Sequence, residues 1–138
     1  MINSSIEKKF HLNCLLCGKD NPWSFGVKFY GQENGSVTGQ FQSHANLQGY
    51  DGILHGGVIT ALLDAAMTHS LFHQGIEAVT GDMRIRFLHP IPCEALLDLK
   101  GHVVSERSRL YVVQAEIHLK ERLMAKGEAK FMARVAPL

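Results

Sequence analysis

The chain has 138 residues, of which 46% are apolar and 20% charged, a composition typical of one globular domain with a sizeable core. Its formal net charge of +1 gives no electrostatic reason to expect nucleic-acid binding. No polar-free apolar run reaches the roughly 18 residues of a membrane span, and the opening lacks the apolar core of a secretory signal. With three cysteines and no export signal, we expect a cytoplasmic protein with reduced thiols that does not bind a membrane.

The first third of the chain predicts a hairpin between two irregular segments. Residues 1–24 are the least regular, and the stretch 19–26 has the Asp-Asn-Pro and Gly punctuation of a loop. Apolar residues then alternate through 27–41, and Glu-Asn-Gly-Ser at 33–36 is typical of a hairpin turn. A loop rich in Gly and Asn follows.

A buried helix is predicted from Gly57 to about His73, because apolar residues recur there at intervals of three and four. Thr60, Asp64 and Thr68 form a thin polar line along one side of it. A carboxylate in the middle of so apolar a helix is costly unless it is paired or has a chemical task. Asp64 is therefore the first candidate functional residue.

The remainder of the chain has the pattern of an antiparallel sheet. Prolines at positions 90 and 92 separate the first strand after the helix from the next one, because proline cannot donate a hydrogen bond within a sheet. The predicted order is β-β-α-β-β-β-β, an α+β fold with one helix against a sheet that curls around it. The four later strands are predicted at 78–88, 95–107, 109–120 and 123–135.

Three segments resemble those of the hotdog-fold acyl-CoA thioesterases, in particular the phenylacetate-degradation (PaaI-like) type. They are GYDGILHGGVITALLDAAM at 49–67, AVTGDMRIRFLHPIP at 78–92 and, more weakly, CLLCGKDNPWSFGVKFY at 14–30. The resemblance implies one hotdog domain over residues 1–138, an antiparallel sheet wrapped around a long central helix. It also implies homodimers or homotetramers that hydrolyse an acyl-CoA thioester without a metal or other cofactor, CoA being part of the substrate.

Thioester hydrolysis needs hydrogen-bond donors where the oxyanion develops and a carboxylate that activates water or attacks directly. A helix start supplies unpaired amides and partial positive charge, and glycine lets the thioester approach them. The resemblance assigns the donor to the Gly56 amide and the catalytic carboxylate to Asp64. It also matches Thr80 to a Ser/Thr that orients the water or the carboxylate.

Each of these residues also has a purely structural interpretation. Gly56 and Gly57 also suit a tight turn into the helix, and Asp64 could face solvent or accept hydrogen bonds from the neighbouring helix threonines. Thr80 could be an ordinary β-branched strand residue.

Helix geometry makes a prediction about assembly. Gly57 and Asp64 are seven residues apart, roughly 10 Å at about 1.5 Å per residue. Groups acting on one carbonyl must both come within about 3–3.5 Å of the reacting atoms. The donor of one subunit is therefore expected to work with the carboxylate of its partner, which requires a dimer with antiparallel helices at a twofold axis.

Further candidates for substrate binding are His55, Gly57, Gln48 and Asp82. His55 is expected to order the loop rather than act as a base, and Gly57 to allow close approach of the thioester. Related enzymes often carry an asparagine where this chain has Gly49, so Gln48 or Asn46 is expected to reach in instead.

Asp82 lies two residues after Thr80 and is expected on the same strand face. Asp82 is a candidate for substrate binding, and the alternative is a structural ion pair with Arg84, Arg86 or a partner. Candidates for the acyl pocket are Met67, Phe72, Met83 and Phe87, and candidates for the CoA phosphates are Arg84, Arg107, Arg109, Lys126, Lys130 and Arg134.

His11, Cys14 and Cys17 have the spacing H-x2-C-x2-C, which suggests zinc, but a closed site needs four ligands and a second Cys-x2-Cys is absent. We therefore expect no metal, and structural roles for His69 and His73 at the end of the helix. Two other functions remain open. A non-catalytic acyl-CoA-binding regulator would retain the pocket without turnover. A hydratase or dehydratase is less favoured because Tyr-Asp-Gly-Ile-Leu-His lacks the Asn-Pro of those relatives.

Overall fold

The computed structural model describes residues 11–134. The predicted order β-β-α-β-β-β-β is confirmed, and the predicted bounds agree to within one or two residues for the helix and the four later strands. Residues 1–10 of the predicted irregular segment and Val135 of the predicted last strand lie outside the described residues. The elements are β1 (Phe29–Gly31), β2 (Val37–Gln42), a 3-10 turn (Ala45–Leu47), α1 (Gly56–His73), β3 (Ala78–Phe87), β4 (Leu96–Arg107), β5 (Leu110–Leu119) and β6 (Arg122–Ala133).

All six strands form one antiparallel sheet in the order β1-β2-β4-β5-β6-β3. The sheet wraps around α1, which contacts every strand and packs most extensively on β4. The predicted hotdog architecture is confirmed. Among the described residues, no helix is both long and apolar enough to span a membrane.

The helix lies directly on the concave face of the sheet. At Gly101 of β4, a Cβ atom would lie only 2.3 Å from the carbonyl oxygen of Ala66, so only glycine permits this approach. Met67 and Phe72 are fully buried in this interface. Their large apolar side chains therefore belong to the core, and neither lines the cavity at the helix start, so their assignment to the acyl pocket stays a prediction.

Strand β3 lies at one edge of the sheet and contains a β-bulge. Thr80 pairs with Phe131 of β6, but Asp82 pairs with the adjacent Lys130, so Gly81 is an extra residue. Because directly opposed residues share a face, Thr80 points with buried Phe131 toward the helix, whereas Asp82 points with exposed Lys130 away from it. The prediction that Thr80 and Asp82 share a face was wrong, because one inserted residue inverts the alternation.

Candidate active site

The N-terminus of α1 is organised by a histidine cap. His55 is the N-cap residue, with extended backbone angles (φ −60°, ψ 135°), and its Nδ1 accepts a hydrogen bond from the Gly57 amide at 2.8 Å. A Cβ on Gly57 would lie 3.1 Å from that same Nδ1, so glycine makes room for the ring. The prediction that His55 orders the loop by hydrogen bonding is therefore confirmed, and Gly57 is part of the cap.

Because the Gly57 amide donates to His55, the adjacent Gly56 amide is the one that remains available as a donor. Val58 and Ile59 donate to the His55 carbonyl, whereas the Gly56 amide has no acceptor among residues 11–134. As the first residue of the helix, Gly56 also has an amide at the positive end of the macrodipole. This is the chemical character of an oxyanion donor.

An apolar cavity of about 650 Å³ opens beside this amide. The loop before the helix forms one wall, and the end of β3 with the proline-containing bend after it forms another. Phe87 contributes to it, as the sequence predicts, but the loop residues that complete it follow no periodic pattern that would have identified them. Its lining residues are Gly49, Tyr50, Ile53, Leu54, His55, Gly56, Ile59, Phe87, Leu88, His89, Pro90 and Ile91.

Asp64 lies in the middle of the same helix, half-buried, and is held by strand β3. The Thr80 hydroxyl donates a hydrogen bond to Asp64 Oδ1 at 2.7 Å. Thr80 can reach the helix because it comes just before the bulge, where its side chain points inward. The hydroxyls of Thr60 and Thr68 donate instead to main-chain carbonyls one turn earlier in the helix. The suggestion that the Asp64 carboxylate accepts hydrogen bonds from these helix threonines is therefore wrong, and its partner is Thr80.

Burial gives this carboxylate the electrostatics of a base. Desolvation raises the pKa of Asp64 above its usual value, and the negative charge of Cys14 acts in the same direction. The hydrogen bond from Thr80 and the charge of His11 oppose that rise. A carboxylate whose pKa is raised toward the working pH is a better proton acceptor than an exposed aspartate.

The two reactive groups are far apart within one chain. Gly56 and Asp64 are eight residues apart on a continuous helix, roughly 12 Å at the rise of an α-helix. Asp64 does not line the cavity beside Gly56. Each chain therefore presents two half-sites, a donor with an apolar cavity and a carboxylate with its hydroxyl partner.

The other predicted contributors lie around the two half-sites rather than in them. Gln48 Oε1 accepts a hydrogen bond from the Gly52 amide at 2.9 Å and closes the loop before the helix. Asn46 is exposed in the 3-10 turn. A Cβ on Gly49 would lie 3.4 Å from the His55 ring, so an asparagine at this position would contact the capping histidine from its first side-chain atom.

On the outer face of the sheet, the structure corrects the prediction for Asp82. It forms no ion pair within residues 11–134, neither with Arg84 nor with Arg86, and it faces away from Asp64 and the helix. Of the basic candidates, Lys126 and Lys130 are also on this outer face, and Arg134 forms an ion pair with Glu77.

A second cluster of reactive side chains adjoins the far end of the helix. His11, Cys14 and Cys17 come together, and hydrogen bonding from Cys17 is the main cause that lowers the pKa of Cys14 to about 3. Burial lowers the pKa of His69, on α1, to about 4.

The sequence profile of the thioesterase superfamily matches residues 51–126, more than half of the chain. The chain belongs to the thioesterase superfamily. It is 32% identical over 90 residues to a Saccharolobus solfataricus protein named as a candidate esterase, SSO1253, over 64% of this chain and 59% of that protein. It is 27% identical over 89 residues to the acyl-coenzyme A thioesterase THEM4 of Rattus norvegicus, over 64% of this chain and 38% of THEM4. The matches thus span about three fifths or less of these relatives.

Two solved structures share the fold. The Escherichia coli PaaI protein from the phenylacetic acid degradation operon superposes with a TM-score of 0.79 at 20% identity, over 96% of this chain and 91% of that one. The smu.793 protein of Streptococcus mutans, solved with bound acetyl-CoA, superposes with a TM-score of 0.73 at 22% identity, over 78% and 88%. The resemblance to PaaI-type hotdog proteins drawn from the sequence is confirmed.

Proposed function

We propose that this protein is an acyl-CoA thioesterase that releases a free acid and CoA. The observation that carries the proposal is the pair of half-sites on α1. One is the Gly56 amide, which has no acceptor within residues 11–134 and lies beside an apolar cavity; the other is the half-buried Asp64 carboxylate bonded to Thr80. The name of the rat relative and the acetyl-CoA bound by the S. mutans neighbour support CoA thioesters as the substrate class. The reaction needs no resident cofactor, and a cytoplasmic location fits the three reduced cysteines.

In this mechanism each group has one task. The Gly56 amide donates to the thioester oxygen as it becomes an oxyanion. Asp64 removes a proton from water, whose oxygen attacks the carbonyl carbon, and Thr80 keeps the carboxylate oriented. The C–S bond then breaks, the sulfur takes the proton back, and the acid and the CoA thiol leave. Direct attack by Asp64 would pass instead through an anhydride that water hydrolyses.

A homodimer would bring the two half-sites together. Strand β3 is ten residues long, and its outer edge pairs with no strand among residues 11–134, so it offers a template for a second copy. Apolar side chains are exposed along and beyond it, including Val79, Phe87 and Leu88. Thr80 ties Asp64 to this edge. A second chain joined edge to edge there would direct its own helix start toward this Asp64.

The first test is hydrolysis of acyl-CoA esters of graded chain length by the purified chain, followed as release of free thiol. Asp64→Asn should lower kcat by about 100-fold or more, because it removes the base while keeping the hydrogen-bond geometry. The matched control is Asp98→Asn, at an exposed β4 carboxylate bonded to Gln40, which should leave kcat unchanged.

The same variant gives a stability readout with a defined sign. Because the folded-state pKa of Asp64 is raised, its carboxylate costs stability as pH rises through that pKa. At neutral pH, Asp64→Asn should therefore unfold at the same or a higher temperature than the parent. Binding of CoA esters by the parent without thiol release would instead identify a non-catalytic acyl-CoA-binding protein.

Complementation tests the shared site. Asp64→Asn and Gly56→Pro, the latter lacking the donor amide, should each be inactive alone. After unfolding and refolding together in equal amounts, half of the dimers are mixed, and one site in each is intact, so about a quarter of all sites should recover. A site built within one chain would recover nothing, which would reject the dimeric site but leave the Asp64→Asn test of hydrolysis intact.

A further inference from the structure

The N-terminal segment gathers three soft ligands at the spacing of a metal site. The ligand atoms of His11, Cys14 and Cys17 all lie within 4.8 Å of one another, and His11 Nδ1 is 3.4 Å from Cys17 Sγ. With Zn–S near 2.3 Å and Zn–N near 2.0–2.1 Å, neighbouring ligands of a tetrahedral zinc lie about 3.5–3.8 Å apart. The cluster therefore needs only small side-chain movements to enclose an ion.

The backbone around the cysteines is built to hold this spacing. The Leu16 amide donates to Cys14 Sγ at 3.3 Å, and the Gly18 amide donates to the Cys14 carbonyl at 2.9 Å. A Cβ on Gly18 would lie 2.4 Å from the Cys14 nitrogen, so the turn is too tight for any other residue. Amide donation to a cysteine sulfur is also the kind of outer contact that orients a metal ligand.

An independent observation points to a candidate for the fourth ligand. His69 of α1 is 1% exposed, yet neither ring nitrogen has a hydrogen-bond partner among the described residues. Phe29 and Phe72 pack against its ring, with centroid separations of 4.6 and 5.2 Å, and the ring of His11 is 6.4 Å away, edge-on. The His11 ring thus places a member of the cluster close to this unpartnered imidazole, and metal coordination would satisfy a group that is otherwise costly to bury.

We propose that His11, Cys14, Cys17 and His69 hold one Zn²⁺ in a closed tetrahedral site. The sequence expectation of no metal rested on the absence of a second Cys-x2-Cys, but the fold brings a distant helix histidine to the cluster instead. With four protein ligands the ion has no open position for substrate, so its task is to fasten residues 11–17 to α1. This proposal does not depend on the thioesterase function.

The test uses the full chain and metal-specific readouts. Purified in zinc-containing medium without chelator, it should carry roughly one zinc per chain by elemental analysis. X-ray absorption at the zinc edge should give two sulfur ligands near 2.3 Å and two imidazole nitrogens near 2.0–2.1 Å. A shell without sulfur would overturn the site, and a shell with one imidazole would overturn the assignment of His69.

Substitutions provide the second arm. Cys14→Ser and Cys17→Ser should each weaken zinc binding by more than about tenfold, the loss typical of removing even an outer-shell partner. The matched controls are Cys93→Ser, at the partly buried thiol outside the cluster, and His73→Gln, one helical turn beyond His69; both should keep full zinc.

His69→Gln should lose affinity to a similar degree. If a cluster variant fails to fold, cobalt reconstitution of the parent decides: it should give a thiolate charge-transfer band and strong tetrahedral d–d bands. A parent that takes up neither metal, or a Cys14→Ser/Cys17→Ser double variant with full zinc, would refute the proposal.

Discussion

In the proposed mechanism, the two half-sites on α1 use different parts of the chain, the backbone in one and a side chain in the other. At the helix start the reactive group is the main-chain amide of Gly56, and the surrounding side chains, His55 and the cavity wall, only position it. In mid-helix the reactive group is the Asp64 side chain, whose behaviour depends on burial and on Thr80. One half-site is therefore sensitive to backbone chemistry and the other to side-chain chemistry.

This difference also governs what each half-site costs the fold. The first amides of any helix lack intrahelical partners, so an unpaired donor at this position does not destabilise the fold. A buried carboxylate must be desolvated, so Asp64 is retained at a cost in stability. Loss of the Gly56 donor hydrogen should therefore leave stability nearly unchanged, whereas loss of the Asp64 charge should leave it unchanged or raise it.

The largest effect that sharpens this contrast is expected from Gly56→Pro. Proline removes the amide hydrogen yet suits the first position of a helix, and the extended backbone of His55 is compatible with a following proline. We expect kcat to fall by about 100- to 1,000-fold, the effect of losing an oxyanion donor, with little change in thermal unfolding.

The control is Gly56→Ala, which keeps the amide. Its Cβ would lie 3.6 Å from the Phe87 ring, an ordinary contact that proline also makes. Activity that survives Gly56→Pro but is lost in Gly56→Ala would show that space, and not the amide, matters at this position.

A smaller effect, confined to the mid-helix half-site, is expected from Thr80→Val. The Thr80 hydrogen bond lowers the pKa of Asp64, so its loss should raise that pKa further. Because activity needs the ionised carboxylate, the acidic limb of the pH–rate profile should move to higher pH. At neutral pH kcat should fall by about 10- to 100-fold, since a hydrogen bond to a charged group is worth about 1.5–3 kcal/mol.

Thr80→Ser retains the hydroxyl and should retain the parental pH profile. A Thr80→Val profile with lower rates but an unmoved acidic limb would mean that Thr80 positions water rather than the carboxylate.

The fold and the arrangement of the candidate site could be predicted from the sequence to different depths. Apolar periodicity located the helix and the later strands because the core imposes it on every turn and every second strand residue. The rise of the helix was enough to separate Gly57 from Asp64 and to predict that one helix cannot bring donor and carboxylate to the same carbonyl. The pairing of Asp64 with Thr80 required the resemblance to known enzymes, because residues distant in sequence meet only through the sheet.

Two features could not be read from the sequence. The bulge at Gly81 inverts the face of Asp82, and a single inserted residue leaves no periodic trace. His69 and His73 lie one helical turn apart and were given structural roles, because the sequence does not show that the fold brings His11 next to His69.

The smallest effect is expected from His55→Ala, which tests the helix start through its cap. Loss of the Nδ1 acceptor should cost about 1 kcal/mol of stability, the usual value for an N-cap, and lower kcat only a few-fold because the Gly56 amide remains. His55→Asn, which restores a good cap acceptor, should recover the unfolding temperature. The acidic limb of the pH–rate profile should stay in place in both variants, since Asp64 sets it. A His55→Ala defect as deep as that of Asp64→Asn, with that limb abolished, would make His55 the base, and a single chain would then hold both groups at one end of its helix.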